Sequence, residues 1–144
     1  MPSEAQTVRV GTSTLVGAGR GLFAAAGIPR GAVIARFETP RVVDGAVKVA
    51  GEEERLHRDG IPHDAAIYAS DELMLVDDAI QAGETARPWW YMMNHASKKK
   101  ANAVNRWVHV NGQIVNIEWR ARRDIAAGEE LLYDYGEPDS RWKD

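Results

Sequence analysis

Asn111-Gly112 separates two apolar runs, NAVNRWVHV (102–110) and QIVNIEW (113–119). Asn-Gly accepts the positive φ values of a type I′ turn, whose twist matches that of paired strands. A β-hairpin is therefore predicted, and most of the remaining chain reads as further short strands. TVRV (7–10), AVIARFE (32–38) and DELMLVDD (71–78) carry β-branched or apolar residues between turn-forming neighbours. One local helix is predicted over the polar stretch GEEERLHRDG (51–60), ended by Gly60 and Pro62. The pattern predicts a mainly β chain.

At 144 residues, with no low-complexity segment or composition break, the expectation is a single domain over 1–144. The chain is 44% hydrophobic and 27% charged, ordinary for a water-soluble protein. Its net charge of −3 argues against a nucleic-acid binder held by a broadly basic surface. Cysteine is absent, which excludes disulfides, thiolate zinc sites and a cysteine nucleophile. Four histidines with no pair at metal-ligand spacing give no reason to expect a metal site. No apolar run is long enough to span a bilayer, and MPSEAQTVRV lacks a signal pattern. The expected address is the cell interior, in the cytoplasm, nucleus or nucleoid.

Two stretches echo one another. Ile28-Pro29-Arg30-Gly31-Ala32-Val33-Ile34 and Ile125-Ala126-Ala127-Gly128-Glu129-Glu130-Leu131 share Ile-x-x-Gly-x-x-aliphatic. Each reads as a tight glycine turn feeding a strand, so two similar β-corners are expected rather than a repeat array.

Three further stretches can carry chemistry. VGAGRGLFA (16–24) has glycines at 17, 19 and 21, which let a ligand approach the backbone. It is neither a dinucleotide fingerprint nor a phosphate loop, since a strand follows and Gly-Lys-Ser/Thr is missing. In YMMNHASKKKANA (91–103), Asn94-His95 sets two polar groups at the edge of an apolar run, and Lys98 to Lys100 read as a solvated loop tip. In GEELLYDYGE (128–137), alternation along an extended strand puts Tyr133 and Tyr135 on one face and Asp134 on the other. Singly, each has a plain structural reading: a β-turn, a capping Asn with a satisfied His, and tyrosines filling a core.

Their joint order resembles the SET-domain protein lysine methyltransferases, whose motifs run GxGRGxF, then NHSCxPN, then GEELxYDYG. Here these read Gly17-Ala18-Gly19-Arg20-Gly21-Leu22-Phe23, Asn94-His95 and Gly128 to Gly136, a match over about residues 8–136. Tyr91 stands where the family has an arginine, and Asn102 comes two positions later than the family asparagine. The resemblance implies a β-clip fold of several small sheets, few short helices and a C-terminal pseudoknot. It also implies S-adenosylmethionine as cofactor and a lysine-bearing protein or peptide, histone-like among others, as substrate. Tyr135 matches the catalytic tyrosine. Tyr133 matches the channel position where a tyrosine limits transfer mainly to one methyl group. Cofactor contacts fall to Ala18, Gly19, Arg20, Asn94 and His95, with Trp142 of the 137–144 tail a further candidate. Tyr68 is a candidate for the lysine channel. The cysteine-rich tail that closes the channel in relatives is absent, so closure is left to the C-terminal residues, a partner or a homodimer.

In that reaction a neutral lysine amine attacks a sulfonium methyl. Keeping lysine neutral at pH 7 costs roughly 4.6 kcal/mol from a pKa near 10.4, and a dry channel beside a positive sulfur lowers that cost. Alignment and electrostatics remain for the protein to supply, a task two phenols suit. The alternative is a SET-like module that binds peptide or assembles without turnover.

Overall fold

The computed structural model describes residues 7–62, 65–83 and 88–136. Along the chain run β1 (Val8–Thr12), β2 (Arg20–Ala24), β3 (Val33–Arg36), β4 (Pro40–Asp44), α1 (Ala46–Arg58), β5 (Ala66–Ser70) and β6 (Leu73–Asp77). A 3₁₀ turn (Trp90–Met92) precedes β7 (Asn94–His95), β8 (Ala103–Val110), β9 (Gln113–Ala121) and β10 (Leu132–Tyr133). The strands form four small sheets, ordered β1-β2, β7-β10, β3-β9-β8 and β4-β6-β5. A mainly β architecture of several small sheets is as expected, while the expected short helix is a longer one of 13 residues.

The chain divides into two compact units, one from Met1–Arg36, Arg87–Trp107 and Ile117–Asp144, the other from Phe37–Ala86 and Val108–Asn116. In the first unit the core is built from Leu22, Ile34, Met93, Ile117, Trp119 and Leu131, each fully buried. The β8–β9 hairpin turns at Asn111 (φ 52°) and Gly112 (φ 76°), the pair of positive values a type I′ turn requires.

The echoed motifs meet. Ile28 and Ile125 form an antiparallel bridge with both N–H to O bonds at 2.8 Å. Each is followed by its glycine turn, at Gly31 (φ 86°) and Gly128 (φ 92°). Two corners with one local sequence thus take one local shape and pair across 97 residues of sequence (125 − 28).

The second unit is the three-stranded β4-β6-β5 sheet covered by α1. Val49 and Leu56 of α1 pack with Val43, Met74 and Val76. The helix begins at Ala46 rather than residue 51, because Val49 is needed in this core. Tertiary burial there outweighs the modest helix propensity of valine. The strand expected over 71–78 narrows to 73–77, since residues 71 and 72 form the β5–β6 turn. Buried Glu52 is compensated by Arg55 at 2.7 Å and by Arg41, which also holds Asp78 at 2.8 Å. Among the described residues no helix is long and apolar enough to cross a membrane.

Candidate functional site

Two strand pairings in the first unit collect the three motifs. The Gly-Glu-Glu-Leu segment runs antiparallel along β2: Gly128 N–H donates to Ala24 O (2.8 Å), Ala24 N–H to Glu129 O (2.9 Å) and Leu131 N–H to Leu22 O (2.7 Å). The chain then enters β10, which pairs parallel with β7 in the register Leu132↔Asn94 and Tyr133↔His95. Motifs separated by scores of residues therefore become neighbours through backbone hydrogen bonds.

Asn102 fixes this crossing. Its Nδ2 donates to Glu130 O at 2.8 Å and its Oδ1 accepts from Leu132 N–H at 2.9 Å. The extra length ahead of it is absorbed by a turn over 97–101, closed by Ala101 N–H to Ser97 O (2.8 Å). Lys98, Lys99 and Lys100 are exposed on that turn, as expected of a loop tip.

Glu130 is the group that sequence reasoning left unassigned. It is buried, and its Oε1 accepts from Thr14 N–H (2.9 Å) and Thr14 Oγ1 (2.7 Å). Its Oε2 accepts from Ser13 Oγ (2.7 Å) and Asn94 Nδ2 (3.2 Å). Burial alone pushes this carboxyl up, but the hydrogen bonds from Thr14, Ser13 and Asn94 outweigh it and hold it below the usual carboxylate range. Gly21 is required beneath it, since a Cβ there lies 2.4 Å from Oε2. The only sequence trace of this arrangement is a glycine opposite a Glu-Glu pair, which does not say which glutamate turns inward.

The glycine turn itself is exposed and ordered by Ser13 N–H to Gly19 O (2.8 Å). Gly17 (φ 79°) and Gly19 (φ 72°) face open space, where an added Cβ meets nothing within 4 Å. Ala18 and Gly19 thus present backbone beside Arg20, whose carbonyl accepts from Asn94 Nδ2 at 2.9 Å.

His95 Nδ1 accepts from Tyr135 N–H at 3.0 Å. Nε2 is the ring's other hydrogen-bonding nitrogen. The His95 and Tyr135 rings stand 5.1 Å apart, and those of Tyr135 and Tyr133 4.8 Å apart. Both phenols are therefore adjacent, as the alternation along the segment predicts. Tyr133 is buried against Trp119, at 5.7 Å edge-on, and Trp119 stacks on Trp90 at 5.0 Å. Tyr135 remains 54% exposed and donates its hydroxyl proton to Met93 O at 2.6 Å. Asp134 instead accepts from Gly136 N–H at 2.9 Å, bracing the chain after β10.

Ala18, Gly19, Arg20, Asn94, His95, Tyr133 and Tyr135 are thus drawn together within one unit. Tyr68 belongs to β5 of the second unit, where it borders a cleft of about 250 Å³ with Leu56, Ile61 and Glu53. Burial and then the neighbouring Glu53 carboxylate push its phenol up. Trp142 lies outside the described residues.

A family model for the SET domain matches residues 19–136. The chain belongs to the SET-domain family. Solved structures similar to this SET domain include ctPRC2 in an autoinhibited conformation bound to S-adenosylmethionine, at 28% identity and TM-score 0.64, covering 93% of this chain and 16% of that one. The polycomb repressive complex 2 of Chaetomium thermophilum matches at 28% identity and TM-score 0.63, over 90% of this chain and 15% of that one. An active polycomb repressive complex 2 in the stimulated state matches at 29% identity and TM-score 0.62, with coverage of 90% and 15%. The chain spans only 15–16% of the length of these three chains. No curated protein matches the chain.

Proposed function

We propose that this SET domain is an S-adenosylmethionine-dependent protein lysine N-methyltransferase. It acts inside the cell on a histone-like or other basic protein and adds mainly one methyl group. The observation that carries this reading is the Tyr135 hydroxyl donating to Met93 O at 2.6 Å, with the Tyr133 ring 4.8 Å from its own.

The residues present fit the cofactor. Open space beside Gly17 and Gly19 leaves the backbone of Ala18, Gly19 and Arg20 accessible to it. Asn94 and His95 adjoin this turn, and His95 Nε2 has no hydrogen bond among the described residues. Bound there, S-adenosylmethionine supplies an electrophilic methyl group on a sulfonium centre.

The chain's own side chains do the rest. Because Tyr135 gives its proton to Met93 O, its oxygen is left as an acceptor with a fixed direction. Such an oxygen orients an amine N–H or a polarised C–H. Tyr133, packed edge-on against buried Trp119, gives this part of the site an apolar character, and a water-poor setting favours the neutral, nucleophilic amine over the ammonium ion. The net charge of −3 is compatible with a basic substrate. The parallel β7–β10 pair supports reading the C-terminal crossing as a pseudoknot.

Calorimetry and a methyl-transfer assay test the reading. Wild type should bind the cofactor and methylate a basic lysine peptide. Tyr135→Phe should lose about a hundred-fold or more in kcat while keeping cofactor affinity within a few-fold. A wild-type chain that binds no cofactor, with or without peptide, sinks the enzyme assignment.

A further inference from the structure

We propose that Glu130 is a positioning residue for the cofactor: its single carboxylate locks the glycine turn to Asn94 and so holds both in their binding arrangement. The inference rests on the methyltransferase reading above and assigns a role to a side chain that touches neither methyl group nor lysine.

The geometry has three parts. First, Glu130 accepts four hydrogen bonds, three from Ser13 and Thr14 at the start of the turn and one from Asn94 on β7. Residues some 80 positions apart (94 − 14) thereby share one acceptor. Second, Glu130 cannot drift. Its backbone bridges Phe23, its carbonyl accepts from Asn102, and Leu131 beside it bonds Leu22. Third, Gly21 leaves room for the carboxylate and nothing more, with Oε2 2.4 Å from a built Cβ.

The turn needs such an anchor. Residues 14 to 20 are exposed, and among the described residues their backbone hydrogen bonds apart from those to Glu130 are Ser13 N–H to Gly19 O, Ala18 N–H to Leu15 O, Leu15 N–H to Ser13 Oγ and Asn94 Nδ2 to Arg20 O, besides the end of the β1–β2 ladder. A glycine-rich turn held only by these has many accessible conformations, and a ligand that requires one of them must offset that entropy. Charge-assisted bonds to Ser13 and Thr14 remove the freedom beforehand. Asn94 gains likewise, because its amide is aimed by Arg20 O and Glu130 together.

The test is Glu130→Gln, with Thr14→Val as a second variant that removes a loop-side bond of the latch and keeps Ser13 Oγ as the acceptor of Leu15 N–H. Both should raise the cofactor KM and Kd about ten-fold or more. Saturating kcat should stay within about two-fold and peptide KM should be unchanged. A purely structural role would instead lower the active fraction and leave the cofactor KM of the folded enzyme intact, so the KM shift and not the melting temperature decides between them. Hydrogen exchange without any ligand gives the independent readout: Thr14 and Leu15 amides should exchange faster in both variants. Gly21→Ala, which displaces the carboxylate sterically, should reproduce the KM increase. Variants that bind the cofactor like wild type, with unchanged exchange, overturn this inference and leave the proposed function standing. A wild type that binds no cofactor overturns both.

Discussion

At the scale of residues, the two phenols share one wall but differ in environment, and that difference separates their roles. Tyr135 is half exposed and hydrogen-bonded to Met93 O, whereas Tyr133 is buried edge-on against Trp119. On the proposed reading, a buried phenol at this place limits how many methyl groups the amine can carry. Tyr133→Phe should therefore retain most of the monomethyl rate and raise the di- and trimethyl share several-fold in intact-mass spectra of the product peptide. An unchanged product ladder would count against this assignment. His95 offers a second residue-scale expectation. Its Nδ1 aligns Tyr135 through the backbone N–H, so His95→Ala removes that acceptor as well as the proposed cofactor contact. Loss should appear in both kcat and cofactor KM, unlike the KM-weighted loss expected of Glu130→Gln, and steady-state kinetics of the two variants side by side checks the contrast.

At the scale of elements, legibility in the sequence followed how local each determinant is. The β8–β9 hairpin was legible because Asn111-Gly112 alone encodes its turn. The paired β-corners were legible as similar turns, but their mutual bridge was not, since Ile28 and Ile125 carry no mark of their partner. The start of α1 was hidden because Val49 reads as a strand former until its core neighbours Val43 and Met74 are known. Strands β7 and β10 are two residues each, too short for any periodicity, and only the motifs they carry are legible, through their order. Their pairing depends on Asn102, which is buried and bonded to both Glu130 O and Leu132 N–H. Asn102→Ala leaves those two backbone groups without their partner, at about 1–3 kcal/mol for each buried group. The variant should unfold at markedly lower denaturant concentration. Equal midpoints for wild type and Asn102→Ala would refute the pinning role.

At the scale of the whole molecule, acid response follows from three carboxylates held below their ordinary range by different means. Glu52 is held down by Arg55, against the opposing effect of burial, with Arg41 adding to it. Glu129 is held down by Arg123 and by the Ala126 N–H. Glu130 is held down by neutral donors and by no cation, its burial opposing them. In each case the folded pKa lies below the unfolded one, near 4.3 for glutamate. Between the two values the unfolded chain binds more protons than the folded chain, so stability falls as pH falls through that window. The contribution is complete above the unfolded pKa and gone below the folded one. Melting temperature should thus be nearly flat with respect to these groups from pH 6 to 8 and drop on acidification below about pH 4.3. Salt distinguishes the groups. The partly exposed Glu129–Arg123 pair is screened at high ionic strength, whereas the hydroxyl and amide donors around Glu130 are neutral and are not. The difference in melting temperature between wild type and Glu130→Gln should therefore shrink as pH falls, and should do so equally in 0.1 M and 1 M salt. A difference that stays constant down to pH 3 would mean that the Glu130 carboxylate is not the group bound more tightly in the folded state.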